Sequence, residues 1–211
     1  METVDMRYDL QVIGSWIDPG SRVLDLGCGN GDLLAWLAAN KNVQGTGIEL
    51  DRNKVGQCIA RGLTVLQGDF NSEVEDYPDA AFDYVILSQT LQQVYEPARL
   101  LYSLSRIGRK VVVSFPNFSH ISIRLQLLLK GRAPKNEQLP YSWYDTPNIR
   151  VITLDDFRKF AGDVGYRIVN EVAINTHNQD FTGEIVRKFS NLRATYGIFI
   201  IEKKSRKPQM P

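Results

Sequence analysis

The sequence predicts an α/β domain built on a mainly parallel sheet, and three observations carry that prediction. Short apolar runs rich in Val, Ile and Leu alternate with amphipathic stretches of helical length. The first run ends in a glycine-rich turn, Leu26-Gly27-Cys28-Gly29-Asn30-Gly31, that opens straight into a helical pattern. Acidic residues, Asp25, Glu49 and Asp69, fall at or just past the ends of three successive strand-like runs. With 211 residues the chain can bury a sizeable single core. We place that domain at residues 1–202, followed by a disordered basic tail over 203–211.

Arg7 to Ile17 reads as an opening helix, with Leu10, Ile13 and Ile17 on one face. Asp18-Pro19-Gly20 then turns the chain into a first strand, Arg22 to Leu26. Asp32 to Ala39 forms the next helix, ended by Asn40, and Val43 to Ile48 the second strand. Asp51 to Arg61 is a helix stopped by Gly62, and Thr64 to Gln67 a brief third strand. A polar, acidic connection from Asn71 to Asp79 leads to the fourth strand, Phe82 to Leu87. The helix Pro97 to Ile107 turns Leu100, Leu101 and Leu104 inward, and Lys110 to Phe115 is strand five. Leu154 to Val164 is one more helix. Tyr166 to Ile174 and Ala194 to Ile201 close the sheet as a hairpin-like antiparallel addition, for seven strands in all.

Residues 116–152 break the rhythm, with Pro116, Pro134, Pro140, Pro147 and only a short helical patch, Ile121 to Leu129. A connection this long inside a compact domain is usually a lid or a binding loop. It follows strand five, so it falls at the carboxyl edge of the sheet, where open α/β folds bind ligands.

Composition narrows the function classes. A net charge of +1 gives no global attraction to nucleic acid or to an acidic membrane. The two cysteines, Cys28 and Cys58, lack metal-ligand spacing and suit a reducing compartment. Met1-Glu2-Thr3-Val4-Asp5 has no signal-peptide character, and the longest apolar runs are too short to span a bilayer. The expectation is a cytoplasmic protein of small-molecule chemistry, with no metal site and neither nucleic-acid nor membrane partners.

The glycine turn points to a cofactor. Glycine lets a ligand approach the backbone, and the helix behind it offers free N–H groups. Dinucleotide sites space their glycines G-x-G-x-x-G, whereas Gly27, Gly29 and Gly31 follow G-x-G-x-G. Asp25, two positions upstream, would repel a diphosphate and attract an ammonium. This favours a cofactor with an amino-acid tail, such as S-adenosylmethionine. Glu49 can accept both ribose hydroxyls, and Asp69 of Gly68-Asp69-Phe70 the adenine amine, with Phe70 flanking the ring. Cys28, Leu50, Gly68 and Ser88 complete the cofactor set. Cys28 serves as a small apolar filler of the turn rather than a nucleophile.

The chemical half of the site is sparser. Leu87-Ser88-Gln89-Thr90-Leu91-Gln92-Gln93-Val94 holds amides and hydroxyls that orient a ligand without a general base. The insertion adds Asn117, His120, Tyr141, Trp143 and Tyr144 as lid or substrate residues. Of these, His120, Tyr141 and Tyr144 are the catalytic candidates, and for His120 a structural, hydrogen-bonded role stands beside the basic one.

Val23-Leu24-Asp25-Leu26-Gly27-Cys28-Gly29-Asn30-Gly31 resembles the first motif of class I S-adenosylmethionine-dependent methyltransferases. Arg7-Tyr8-Asp9-Leu10, Leu87-Ser88-Gln89-Thr90-Leu91-Gln92, Val113-Ser114-Phe115-Pro116-Asn117-Phe118 and Leu139-Pro140-Tyr141-Ser142-Trp143-Tyr144-Asp145-Thr146-Pro147-Asn148-Ile149 resemble the bacterial methionine biosynthesis protein MetW family, from about residue 7 to 202. The resemblance implies a Rossmann-like class I methyltransferase fold with helices on both faces of a seven-stranded, mostly parallel sheet. It implies S-adenosylmethionine as cofactor, S-adenosylhomocysteine as its product form, and homoserine O-acyltransferase as partner. The chain lacks a Gly-x-Ser-x-Gly nucleophile elbow, so it is not expected to be that acyltransferase. Two readings follow: a protein that binds the cofactor and supports homoserine acylation, or an active small-molecule methyltransferase.

Overall fold

A computed structural model describes residues 6–177 and 180–204. Residues 1–5, and with them the N-terminal segment read above, lie outside the described residues, as does the basic tail from 205 onward.

The chain begins with α1 (Tyr8–Trp16), β1 (Arg22–Leu26), α2 (Asp32–Lys41), β2 (Gln44–Glu49), α3 (Arg52–Ala60) and β3 (Thr64–Gln67). It continues through the short α4 (Phe70–Glu73), β4 (Phe82–Ser88), α5 (Pro97–Ile107), β5 (Gly108–Pro116) and α6 (Ile121–Lys130). The remaining elements are α7 (Leu154–Asp163), β6 (Tyr166–Asn175), β7 (Glu184–Ile185), α8 (Ser190–Arg193) and β8 (Tyr196–Lys203). One sheet holds all eight strands in the order β3-β2-β1-β4-β5-β8-β6-β7. The first five strands run parallel, and β8 enters antiparallel between β5 and β6.

Successive residues of a strand face opposite sides, so each parallel strand feeds two cores. From β1, Leu24 and Leu26 join a cluster with Val85, Val113, Leu104 and Phe157 under α5 and α7. Val23 joins the other, with Ile86, Val112, Ile13 and Leu37 under α1 and α2. Burial on both faces is why these strands read as continuous apolar runs.

Among the described residues the strand count is eight, not seven. The added β7 has only two residues, too few for a period-two pattern, and pairs Ile185 with Ile174 and Glu184 with Asn175. Two helical turns also lay outside the sequence reading. Asp69 caps α4 by accepting from the Asn71 N–H at 2.9 Å, turning the expected polar connection into a helical one. The second is α8, between β7 and β8. Helix α2 runs past Asn40 to Lys41 and is closed by Asn42 in the left-handed region, φ 52°. Lys203 still belongs to β8, and the Lys204 N–H donates to Gly165 O at 2.9 Å. Among the described residues no helix is long and apolar enough to cross a membrane.

The topology sets the site. From β1 the chain winds outward through β2 and β3, then returns to the other side of β1 for β4 and β5. The strand order reverses between β1 and β4, which opens a crevice at their carboxyl ends.

Candidate functional site

A cleft of about 1030 Å³ occupies that crevice, at the upper end of the size range of small-molecule sites. Its floor is the turn after β1. Gly27, Gly29 and Gly31 have φ values of 73°, 58° and 77°, where a side chain would be strained. The turn is stitched to β2: the N–H groups of Gly27 and Cys28 donate to Ile48 O at 2.8 and 3.2 Å. Glu49, the last residue of β2, is buried and accepts from the Gly29 N–H at 2.9 Å through one oxygen and from the Asp51 N–H at 2.9 Å through the other. Its carboxylate therefore holds the two loops of the cleft together, each oxygen keeping a second lone pair.

Asp25 stands at the same edge, 4% exposed. Burial lifts its carboxyl to about 7; Arg7 opposes the rise and Glu49 adds to it. No hydrogen bond from the described residues is among the influences on it. Arg7, at the start of α1, also lines the cleft. Its guanidinium donates to the buried Asp9 at 3.1 Å, while its own Nε is buried without a partner. Asp9 also accepts from the Gln89 side-chain amide at 2.8 Å. Gln89 sits in the left-handed region, φ 52°, where only a surrounding network holds a non-glycine residue. Gln92, which lines the cleft, is 4% exposed; its amide donates to Gln89 O at 2.6 Å, and its Oε1 is buried with no hydrogen-bond partner among the described residues. Paired buried polar groups are the rule, so an unpartnered donor and acceptor in one cleft mark a place for a ligand or ordered water.

The lid segment closes one side. The N–H groups of Ile149 and Arg150 both donate to Gln92 O at 3.0 Å, which ties 146–150 to the 3-10 turn Leu91–Gln93. Pro140, Tyr141, Pro147 and Asn148 reach the cleft from this segment.

Of the residues expected in the site, Asp25, Gly27, Cys28, Gly29, Glu49, Leu50, Phe70, Ser88, Gln89, Gln92 and Tyr141 line the cleft. Gly31 instead caps α2, and Gly68 packs beside the Glu73 side chain. Asp69 is exposed, with one oxygen taken by the Asn71 backbone and side-chain N–H groups at 2.9 and 2.8 Å. Asn117 is a structural residue: its amide donates to Asn191 O and Ala194 O at 3.0 and 2.9 Å and accepts from the Ser119 N–H. His120 caps α6, its Nδ1 accepting from the Ser122 N–H at 3.2 Å, and is not on the cleft. Burial holds its imidazole below the usual range, which favours the neutral form that a cap requires. Trp143 and Tyr144 stack edge to face on the outside of the lid segment, both largely exposed. Cys28 and Cys58 are free and buried, and burial pushes both thiols up, the inert state expected of a filler. Among the described residues no cluster of His, Cys, Asp and Glu could hold a metal ion.

Sequence reasoning missed several lining residues, Arg7, Asn30, Asp32 and Thr90 among them, and Asp9, which pairs with Arg7. The available signal was Asp9 itself, an acid one helical turn before Ile13 on the inward face of α1, where a buried charge demands a partner.

The fold is that of the S-adenosylmethionine-dependent methyltransferases. A methyltransferase of that class from Thermotoga maritima, described as a possible histamine N-methyltransferase, matches with a TM-score of 0.67 at 18% identity, covering 93% of this chain and 88% of that one. The cyclase SpnF matches with a TM-score of 0.63 at 18% identity over 92% of this chain and 80% of its own, so the fold alone fixes no reaction. The model of the methionine biosynthesis protein MetW family matches residues 7–201, and the chain belongs to that family. A bifunctional methionine biosynthesis protein MetXA/MetW from Rhodopirellula baltica is 35% identical over 178 residues. That match takes in 80% of this chain but spans only 29% of the length of the relative.

Proposed function

We propose that this protein binds S-adenosylmethionine in the cleft and, so loaded, supports a homoserine O-acyltransferase, rather than performing the acylation itself. The observation that carries the ligand reading is the presence in one cleft of Asp25, a buried carboxyl with no hydrogen-bond donor among the described residues, and Arg7, whose Nε has no partner among them. An acceptor and a donor of opposite charge in one cleft suit the ammonium and carboxylate of an amino-acid tail. Glu49 keeps lone pairs for ribose hydroxyls, and Phe70 offers an apolar face to the adenine. When bound, the cofactor would supply an electrophilic methyl group on its sulfonium. The partner reading rests on family membership and on the relative whose name joins MetXA and MetW in one polypeptide.

A second reading, methyl transfer to a small molecule, is favoured by Gln92 Oε1, a buried acceptor that a second ligand could satisfy. Methyl transfer needs positioning more than a base, so amides alone could serve. One experiment separates the readings. Purified protein is titrated with S-adenosylhomocysteine, and acyltransferase turnover is measured with and without it. Binding together with stimulated acylation supports the first reading. Release of S-adenosylhomocysteine from S-adenosylmethionine with a defined acceptor, and no effect on acylation, would replace it by the second. No binding at millimolar ligand would remove both.

A further inference from the structure

Helix α6 turns to solvent a face that helices ordinarily bury. Ile121, Leu125, Leu128 and Leu129 stand at i, i+4, i+7 and i+8, one stripe of the helix surface. All four are exposed, Leu128 and Leu129 by 79% and 77%. The helix is anchored through Ile123, its only buried residue, and its ends are closed by His120 and by Gly131 in the left-handed region. Arg124 donates to Ser119 O at 2.7 Å and Gln126 accepts from the Lys135 N–H at 2.8 Å, which tie the helix to its flanking segments, and Leu127, also exposed, widens the apolar surface beyond the stripe. Contiguous apolar exposure on a fixed helix marks an interaction surface.

Charge selects the occupant. From Ser119 to Lys135 the segment carries Arg124, Lys130, Arg132 and Lys135 and no acid. A second copy docking about a twofold axis would set this basic rim against itself, which opposes self-association. At ten residues, with Arg124 and Lys130 its only basic side chains, the helix is also short for an element that lies in a bilayer surface. A protein with an acidic-rimmed apolar groove fits both features. We propose that the α6 stripe is the docking surface for the homoserine O-acyltransferase, with Leu125, Leu128 and Leu129 seated in such a groove. This rests on the partnership proposed above. A tether between the two units, as the name of the Rhodopirellula relative describes, would hold such a contact at high effective concentration.

The test uses the full chain and the purified homoserine O-acyltransferase of the same organism, with affinity read by isothermal titration and complex size by sedimentation. Leu128→Lys with Leu129→Lys should weaken association by about 30-fold or more, the loss expected for buried interface anchors. Lys130→Glu with Arg132→Glu should weaken it too and flatten its salt dependence. Unchanged circular dichroism and melting show that the variants are folded; should the leucine pair not fold, the charge-reversal pair carries the test. If the natural protein binds and the folded variants bind equally well, the docking surface lies elsewhere while the partnership stands. If the natural protein does not bind at micromolar concentrations, the partnership fails and this surface assignment with it. A dimer of the protein alone, or capture by phosphatidylglycerol vesicles, that the variants abolish while still binding the acyltransferase would assign the stripe to another occupant and overturn the proposal.

Discussion

Replacing Asp25 by Asn should make the protein more stable and a poorer binder at once. The carboxyl titrates near 3.8 in an unfolded chain and at about 7 in the fold, chiefly because burial disfavours its charge. Folding therefore takes up a proton between those values. The stability tied to this group is full below pH of about 4, falls as pH rises toward 7, and is level above it. A rise of about three units corresponds to roughly 4 kcal/mol at pH 8, an upper figure that water entering the cleft reduces. Asn removes the charge, so urea unfolding at pH 8 should show a gain of about 1–3 kcal/mol that shrinks to nothing near pH 4. Binding should move the other way. An incoming ammonium requires the ionised carboxylate, so affinity of the natural protein for S-adenosylhomocysteine should fall about tenfold per pH unit below 7, with a proton released on binding. The Asn variant should bind weakly at every pH and lose that slope. Stability and affinity of the natural protein that are both flat from about pH 5 to 8 would refute the reasoning.

Substitutions at three further positions separate ligand contacts from scaffold. Arg7→Met should lower affinity for S-adenosylhomocysteine by about 10–100-fold and also lower the melting temperature, because Asp9 would stay buried without its cation; Arg7→Lys should restore stability more than affinity, since it lacks the fork. Glu49→Ala should cost about 2–4 kcal/mol in urea unfolding, by orphaning the N–H groups of Gly29 and Asp51, and should reduce titrated affinity sharply. His120→Ala should cost about 1 kcal/mol through the lost cap and leave ligand affinity unchanged. The cap on α6 should weaken on acidification, because the imidazole is held below its unfolded value: its contribution is full above about 6.5 and is lost as pH falls from there through the lower folded value.

The parts of the fold legible in the sequence were those whose physics is local or periodic. β1, β4 and β5 announced themselves because both their faces are covered, and the glycine turn because three positive φ values demand glycine. Of the acids at the strand ends, Asp25 and Glu49 marked the cleft, whereas Asp69 caps α4. What escaped depends on contacts distant in the chain. Arg7 reaches the site because α1 packs on the sheet with β8, a strand that begins only at Tyr196. Asn117 and His120 looked like chemistry because a polar residue at a strand edge reads the same whether it binds a ligand or caps a helix. The outward face of α6 was also hidden: an apolar helical stripe carries no sign of whether its partner lies in the same chain.

The placement of β8 has a consequence for how the molecule comes into being on a ribosome. β8 follows every other strand in the sequence, yet it lies inside the sheet, bonded to β5 on one side and β6 on the other. Until it emerges, β5 presents an open edge from Val111 to Pro116, and β6 with β7 lacks the strand that joins it to the sheet. The nascent chain must therefore hold an unfinished half-sheet through the synthesis of everything between, which is the condition under which strand edges find wrong partners. A stop or frameshift just before Tyr196 would remove the strand that joins β5 to β6 instead of trimming one edge of the domain.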